Sequence, residues 1–172
     1  MVYNVHVRRL TVAAEAAAGL IDSLGTGEDR LWPVDCWPPM RFDRPLGVGA
    51  SGGHGPVRYY VESYVPGRFL RCRFTAPRGV AGFHEYEVIP RSEDECDLRH
   101  VLSGSLTGPA LLTFPLFFRP AHDAVLEDSL DRAELSVTGT VRTPARWTPY
   151  VRALRLFAAG RAQLGTAVRR PS

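Results

Sequence analysis

Polar and apolar residues alternate through the middle of the chain, from residue 57 to residue 106. Four segments of this stretch have a period of two, which is the pattern of β-strands with one buried and one solvent-facing side. Turn residues separate the segments, with Pro66-Gly67 after the first and the polar run 91–95 before the last. The pattern therefore predicts four consecutive antiparallel strands.

The first turn sets a register between strands Val57–Val65 and Arg68–Phe74. It predicts these opposite pairs: Tyr59 and Phe74, Val61 and Cys72, Ser63 and Leu70, and, on the other face, Glu62 and Arg71. The third strand, Phe83–Ile89, is expected to bring Phe74 near His84 and Cys72 near Tyr86. The fourth, Asp97–Leu106, directs Leu98, His100 and Leu102 to the same inner face.

Charged residues fall on the opposite, outer face of this sheet. They are Glu62, Arg71, Arg73, Glu85, Glu87 and Arg99. A slip of one residue in any strand would move a charge to the inner face, so the pattern constrains the register. The polar residues that it leaves on the inner face of this sheet, and that could take part in chemistry, are His84, Tyr86 and His100.

The flanking elements are also predicted from their residue types. They are a first strand Tyr3–Leu10, a helix Ala13–Leu24, a short strand Arg41–Asp43, an apolar helix Pro109–Phe118 bent at Pro115, a helix from Pro120 to about Val137, and a short helix from Pro149 to about Leu164. We expect a domain at residues 1–140. Residues 141–172 should form a linker and an amphipathic helix that packs on the domain or on a partner, such as the second copy in a homodimer.

The helix from Pro120 is amphipathic. Its inner face carries His122, Leu126, Ser129, Leu130, Ala133 and Val137, and the remaining surface carries Glu127, Asp128, Asp131 and Glu134. A helix of this kind is expected to lie over the inner face of the sheet and to bring His122 above His84 and His100.

The element order of strand, helix pair, several antiparallel strands and long C-terminal helix resembles the START/Bet v 1-like (SRPBCC) superfamily. The resemblance covers about residues 2–139, and its local signals are Tyr59–Arg68, His84–Val88, Leu98–His100 and the helix around His122–Asp128. It implies an α+β helix-grip fold, a curved antiparallel sheet wrapped around a long helix, here with an additional helical tail. Members include lipid and hormone carriers, polyketide cyclases and aromatases, and ring-hydroxylase domains, so the resemblance implies a pocket without selecting its use.

Composition and charge narrow the function classes. The 172 residues carry a net charge of +3, and the basic residues, all arginine, are scattered among glutamates, which argues against a nucleic-acid partner. We find no secretory signal or transmembrane segment, and the three cysteines lack metal-ligand spacing. A reducing cytoplasm is the expected setting.

Two motifs for bound groups are weak. Gly47–Gly52 satisfies GxGxxG, but it leads into more glycine and then a strand rather than a helix, so a flexible loop or a gate over the pocket is favoured over nucleotide binding. A metal site would require His84, His100 and His122 to converge. We predict no metal and no cofactor. Templates for serine, zinc-protease and paired-carboxylate hydrolases are missing from the sequence.

The predicted pocket lies between the sheet and the long helix. Its ligand-binding residues are Tyr59, Val61, Ser63, Leu70, Cys72, Phe74, Val88, Leu98, Leu102, His122, Leu126 and Leu130, with His84, Tyr86 and His100 as candidate catalytic residues. The inner polar groups either satisfy one another, orient a small hydrophobic ligand, or perform acid–base chemistry of the polyketide cyclase or dehydratase type. An interaction module with a vestigial pocket is the remaining alternative.

Overall fold

A single antiparallel sheet and one long helix make up most of the computed structural model, which describes residues 1–157. The elements are β1 Val2–Leu10, α1 Ala14–Asp22, β2 Arg41–Phe42, β3 Ser51–His54, β4 Val57–Val65, β5 Phe69–Ala76, β6 Val80–Pro90, β7 Cys96–Leu106, α2 Ala110–Thr113 and α3 Arg119–Thr138. The seven strands follow the order β1-β7-β6-β5-β4-β3-β2. This is the helix-grip architecture, and the fold class predicted from the sequence is confirmed.

The long helix starts at Ala110 and continues through α3 without a break in helical structure. Residues Phe114–Phe118 form a π-helical turn between α2 and α3. Pro115, at which the sequence predicts a bend, has no N–H to donate, and the wider turn accommodates it. Gly139 ends α3 in the left-handed conformation. No helix among the described residues is long and apolar enough to span a membrane.

The core lies between the inner face of the sheet and the helices. Leu20 and Ile21 of α1 are buried, as are Leu126 and Leu130 of α3. The expected helix pair is wrong, because residues 23–40 after α1 form turns and irregular chain instead of a second helix. Trp32 closes the core from this segment, with its indole N–H donated to the Pro38 carbonyl at 2.9 Å.

The strands pair antiparallel in the predicted order, but some residues lie opposite partners other than the predicted ones. Tyr59 lies opposite Phe74 and Val61 opposite Cys72, as expected. A bulge after Val61 then sets Ser63 opposite Arg71 and Tyr64 opposite Leu70, so the prediction that Ser63 faces Leu70 inside is wrong. The bulge turns Tyr64 inward in its place, where its hydroxyl donates to Asp22 at 2.7 Å.

The register between β5 and β6 differs by two residues from the expected one. Cys72 pairs with His84 and Leu70 pairs with Tyr86. A shift of two keeps each residue on its face, so the outer charges still meet one another, with new partners. Their ion pairs are Arg73–Glu62, Arg71–Glu85 and Arg99–Glu87, whereas Glu62 had been expected opposite Arg71.

Part of the glycine-rich segment belongs to the sheet. Ser51–His54 is a strand that pairs with β4, and Gly49 N–H donates to Val61 at 2.9 Å. A Cβ on Gly52 would lie 2.6 Å from the ring of Phe42, so this strand needs glycine to pack against β2. The part of the predicted loop at Ser51–His54 is thus a strand, while a gate over the pocket stays a prediction. The segment leads into a strand rather than a helix, unlike a dinucleotide-binding turn.

Candidate functional site

All five histidines of the chain are connected by ring contacts, His6, His54, His84 and His100 from the sheet and His122 from α3. β7 is paired on both sides, with Tyr86 opposite His100 on β6 and His6 opposite His100 on β1. The ring centroids of successive members are 6.0 Å apart for His6 and His122, 5.3 Å for His122 and His100, and 5.6 Å for His100 and His84. Tyr59 then connects His84, at 4.8 Å, with His54, at 6.0 Å. We call this set the histidine row.

The middle of the histidine row is closed to solvent. His84 Nδ1 and His100 Nε2 are 3.4 Å apart, and both side chains are buried. Three polar atoms here have no hydrogen-bond partner among the described residues: Tyr59 Oη, His84 Nε2 and His100 Nδ1. Burial lowers the pKa of His84 and of His100 well below the usual histidine value, so both imidazoles are neutral at pH 7.

Tyr86 has a hydrogen-bond partner of its own. Its hydroxyl lies 3.0 Å from Ser129 Oγ, and Ser129 donates to the Leu31 carbonyl at 2.9 Å. Burial raises the pKa of Tyr86 far above that of an ordinary phenol. The phenol therefore links the sheet to α3 and to the segment after α1, which is a structural role beside the catalytic one predicted from the sequence.

A polar seam joins β1 to α3 at one end of the histidine row. Asn4, His6 and Arg8 alternate along the inner face of β1 and meet a stripe of acids on α3: Asp123, Glu127, Asp131 and Glu134. His6 faces a carboxylate with each ring nitrogen, Nδ1 at 2.7 Å from Glu127 and Nε2 at 3.2 Å from Asp123. Burial lowers the pKa of His6, but these two hydrogen bonds outweigh it and the pKa is raised.

Sequence reasoning missed this seam. Glu134 was assigned to the solvent side of its helix, yet only 2% of its side chain is exposed, and it accepts from Arg8 at 2.6 Å. The spacing of the acids, at residues 123, 127, 131 and 134, is one helical stripe, and His6 and Arg8 share a face of a strand. These two periodicities together are the signal that could have found the seam.

The residues predicted to line the pocket are inward with one exception. Val61, Leu70, Cys72, Val88, Leu98, Leu102, Leu126 and Leu130 are buried, and Phe74 packs against the core they form. Ser63 lies on the outer face opposite Arg71. Burial raises the pKa of the Cys72 thiol to about 12, so this cysteine is an apolar wall residue rather than a nucleophile.

His84 and His122 each lie next to His100, with ring centroids 5.6 and 5.3 Å from it. The three do not bring their ligand atoms within 4.8 Å of one another, so the convergence that a three-histidine metal site requires is not found. Within residues 1–157, the one set of three potential ligands that do gather is His6, His122 and Asp123, whose ligand atoms all lie within 4.8 Å of one another.

Two clefts open on the surface near the ends of the histidine row. The first, about 730 Å³, runs along β2, β3 and β4 and includes Phe42, His54 and Tyr59 in its walls. The second, about 480 Å³, lies between α3 and the chain at residues 145–151 and includes Asp123 and Glu127. Tyr59 is the one residue of the predicted pocket lining that reaches the first cleft.

The chain after α3 returns along the same helix. Trp147 and Trp37 both donate an indole N–H to Asp128, at 2.7 and 2.6 Å. The guanidinium of Arg155 lies over both indole rings. Residues 149–157 are helical, and the predicted continuation to Leu164 lies outside the described residues. A role of this tail in dimerisation stays a prediction.

Several solved structures share this architecture. Norcoclaurine synthase from Thalictrum flavum superposes with a TM-score of 0.60 at 14% identity, over 79% of this chain and 87% of the synthase. A protein from Thermobifida fusca gives 0.58 at 14% identity, over 80% and 96%. CalU16 from Micromonospora echinospora gives 0.56 at 11% identity, over 90% and 82%. No protein-family model and no curated protein matches the sequence.

Proposed function

We propose that this chain, which has the Bet v 1-like (SRPBCC) helix-grip fold, binds a small, uncharged and largely apolar molecule between its sheet and α3. One structure of the Thalictrum flavum synthase is a complex with dopamine and hydroxybenzaldehyde. The fold of that neighbour therefore accommodates small aromatic molecules. This supports a ligand of similar size here but does not identify it.

The observation that carries the proposal is the group of unpartnered atoms in the histidine row. Tyr59 Oη, His84 Nε2 and His100 Nδ1 are buried on neighbouring side chains in an otherwise apolar interior. A buried polar atom without a partner costs about 1–3 kcal/mol. A ligand with one hydroxyl or carbonyl group placed beside these atoms would recover part of that cost.

The charge state of the site selects the chemical class of the ligand. Both histidines are neutral because burial lowers their pKa values. A neutral imidazole offers one donor and one acceptor and no charge to pair with a carboxylate or phosphate. Phenols and ketones fit this combination, and the surrounding leucine and valine side chains fit their hydrocarbon parts.

The cleft at β2, β3 and β4 is the proposed route of entry. It reaches Tyr59 and His54, the members of the histidine row nearest to that edge of the sheet. β2 is two residues long and pairs only with β3, so few hydrogen bonds hold this edge. Opening there requires less rearrangement than separating α3 from the core.

Binding of 2-naphthol and of naphthalene, measured by fluorescence titration, tests the proposal. The two molecules differ by one hydroxyl, so the difference between their affinities isolates the polar contact. We expect His84→Phe and Tyr59→Phe to weaken 2-naphthol binding by about 2- to 12-fold, the value of one hydrogen bond. Naphthalene binding should stay within a factor of two.

Phenylalanine at position 84 keeps the ring stacked on Phe74, which lies at 5.1 Å and nearly parallel to it. Tyr3→Phe is the matched control, because it removes a hydroxyl from an exposed outer position. Loss of affinity in that control, equal affinities for the two molecules in the wild type, or no saturable binding at all would each overturn the proposal.

A second candidate is acid–base catalysis at the same place. The 3.4 Å contact between His84 and His100 joins two neutral imidazoles, and each has one nitrogen that can accept a proton from a bound molecule. Burial lowers the pKa of both, which makes them weak bases. Aromatic-polyketide precursors are the substrates to assay, with His84→Ala, His100→Ala and Tyr86→Phe. Unchanged turnover in all three variants would remove these residues from any catalytic role.

A further inference from the structure

The geometry points to a binding site for a divalent transition metal ion at the seam between β1 and α3, with His6, His122 and Asp123 as its three protein ligands. This site is separate from the proposed ligand site at His84 and Tyr59. Two imidazole nitrogens and one carboxylate oxygen form a donor set that zinc and its neighbours in the first transition series prefer.

The distances between the ligand atoms fit one small ion. His6 Nε2 lies 3.2 Å from Asp123 Oδ1, and His122 Nδ1 lies 3.6 Å from the same oxygen. Ligands at about 2.0–2.1 Å from a tetrahedral zinc ion are separated from one another by roughly 3.3 Å. The two separations from Asp123 Oδ1 bracket this value, and all three ligand atoms lie within 4.8 Å of one another. The two histidine nitrogens would complete the site by approaching each other around the ion.

The surroundings orient the first ligand. Glu127 Oε1 lies 2.7 Å from His6 Nδ1, the ring nitrogen that faces away from Asp123. Arg8 holds the other oxygen of Glu127 at 3.3 Å. A carboxylate that accepts from the second nitrogen of a histidine is the usual support of a metal-bound imidazole, because it fixes the tautomer and the ring plane. Glu127 is therefore a positioning residue for the site and not a ligand.

Three protein ligands leave a position for water or another small molecule. Asp123 and Glu127 also belong to the second cleft, together with Arg119 and Trp147. The ion would thus be reached from the surface between α3 and the chain at residues 145–151. Open three-ligand sites of this type are common where a metal acts on a bound molecule.

Calorimetric titration of the metal-free full chain with Zn²⁺, and with Co²⁺ as an optical probe, tests this site. We expect one ion per chain and a visible Co²⁺ absorption band of tetrahedral intensity. His6→Asn, His122→Asn and Asp123→Asn should each lower the affinity by at least 100-fold. Glu127→Gln should lower it by about 10- to 100-fold, as is typical for a residue that orients a ligand.

His54→Asn is the matched control, since it removes a histidine from the far end of the histidine row and should leave the affinity unchanged. Circular dichroism establishes that each variant is folded. If the β1 variants fail to fold, NMR of the wild type replaces them: Co²⁺ should shift or broaden the imidazole signals of His6 and His122 more than those of His54 and His84. Saturation above 1:1, equal affinity in His6→Asn, or loss of affinity in His54→Asn would overturn the assignment.

Discussion

Removal of two hydroxyls from the contact between Tyr86 and Ser129 should reveal how strongly β6 is coupled to α3. Both side chains are almost fully buried, and their oxygens are 3.0 Å apart. Tyr86→Phe removes one hydrogen bond while Ser129 keeps the Leu31 carbonyl as its acceptor, so we expect a loss of about 1 kcal/mol in the free energy of unfolding.

Ser129→Ala should cost more than Tyr86→Phe. It leaves two buried groups without partners, the Tyr86 hydroxyl and the Leu31 carbonyl, and each such group costs about 1–3 kcal/mol, so the expected total is about 2–6 kcal/mol. The double variant has only the carbonyl unpaired. Its loss should therefore be at least 1 kcal/mol smaller than the sum of the two single losses, by the same values.

Urea unfolding of the four proteins, followed by circular dichroism, measures these differences. In a chain of 172 residues each kcal/mol also shifts the melting temperature by about 2–4 °C. Tyr3→Phe, at an exposed position, should change the unfolding free energy by less than about 0.5 kcal/mol. Additive losses, or a smaller loss for Ser129→Ala than for Tyr86→Phe, would refute the described hydrogen-bond chain.

Three further outcomes follow from single contacts. Asp128→Ala removes the acceptor shared by two indole N–H groups, so we expect a loss of about 2–3 kcal/mol and a red shift of tryptophan fluorescence, with Asp128→Asn losing less. Gly82→Ala should destabilise the fold by several kcal/mol in thermal unfolding, because its φ is 152° and the new Cβ would lie 2.1 Å from a β7 carbonyl oxygen. Gly47→Ala is the control and should have no effect, because the nearest atom to its Cβ would be the Pro45 carbonyl oxygen at 3.9 Å, an ordinary contact. Burial lowers the pKa of His54 to about 4. Below pH 6.5 the imidazole of this residue therefore binds a proton in the unfolded chain but not in the folded chain. When the pH is lowered from 7 to 4.5, the free energy of unfolding should fall by about 2–3 kcal/mol more in the wild type than in His54→Phe. Equal falls in the two proteins would contradict the assignment.

The division of the sheet into two faces could be predicted because it depends only on a period of two. Cys72 and His84 were expected to pair with other residues, but the error was a shift of two, which preserves the face of every side chain. The bulge after Val61 was not predictable in this way. It inserts one residue into β4, reverses the faces beyond it, and thereby moves Ser63 outward and Tyr64 inward.

The polar seam was missed for a different reason. A helical wheel separates polar from apolar residues, and it treats every polar side as a solvent side. Glu134 and Asp131 instead face Arg8 on β1, and these residues are more than 120 positions apart in the sequence. Only the pairing of β1 with β7 brings the two polar stripes together, and no local pattern contains that information.

The arrangement of the histidines allows their NMR resonances to report on binding at either of the two proposed sites. All five histidines of the sequence belong to the histidine row, so each histidine side-chain resonance reports on a known position in this row. Changes caused by an apolar aromatic guest should centre on His84 and His100, and changes caused by a metal ion on His6 and His122. One spectrum, recorded without any added label, thus distinguishes binding of an aromatic molecule from binding of a metal ion. It also shows whether binding at one of these sites changes the resonances of the histidines at the other.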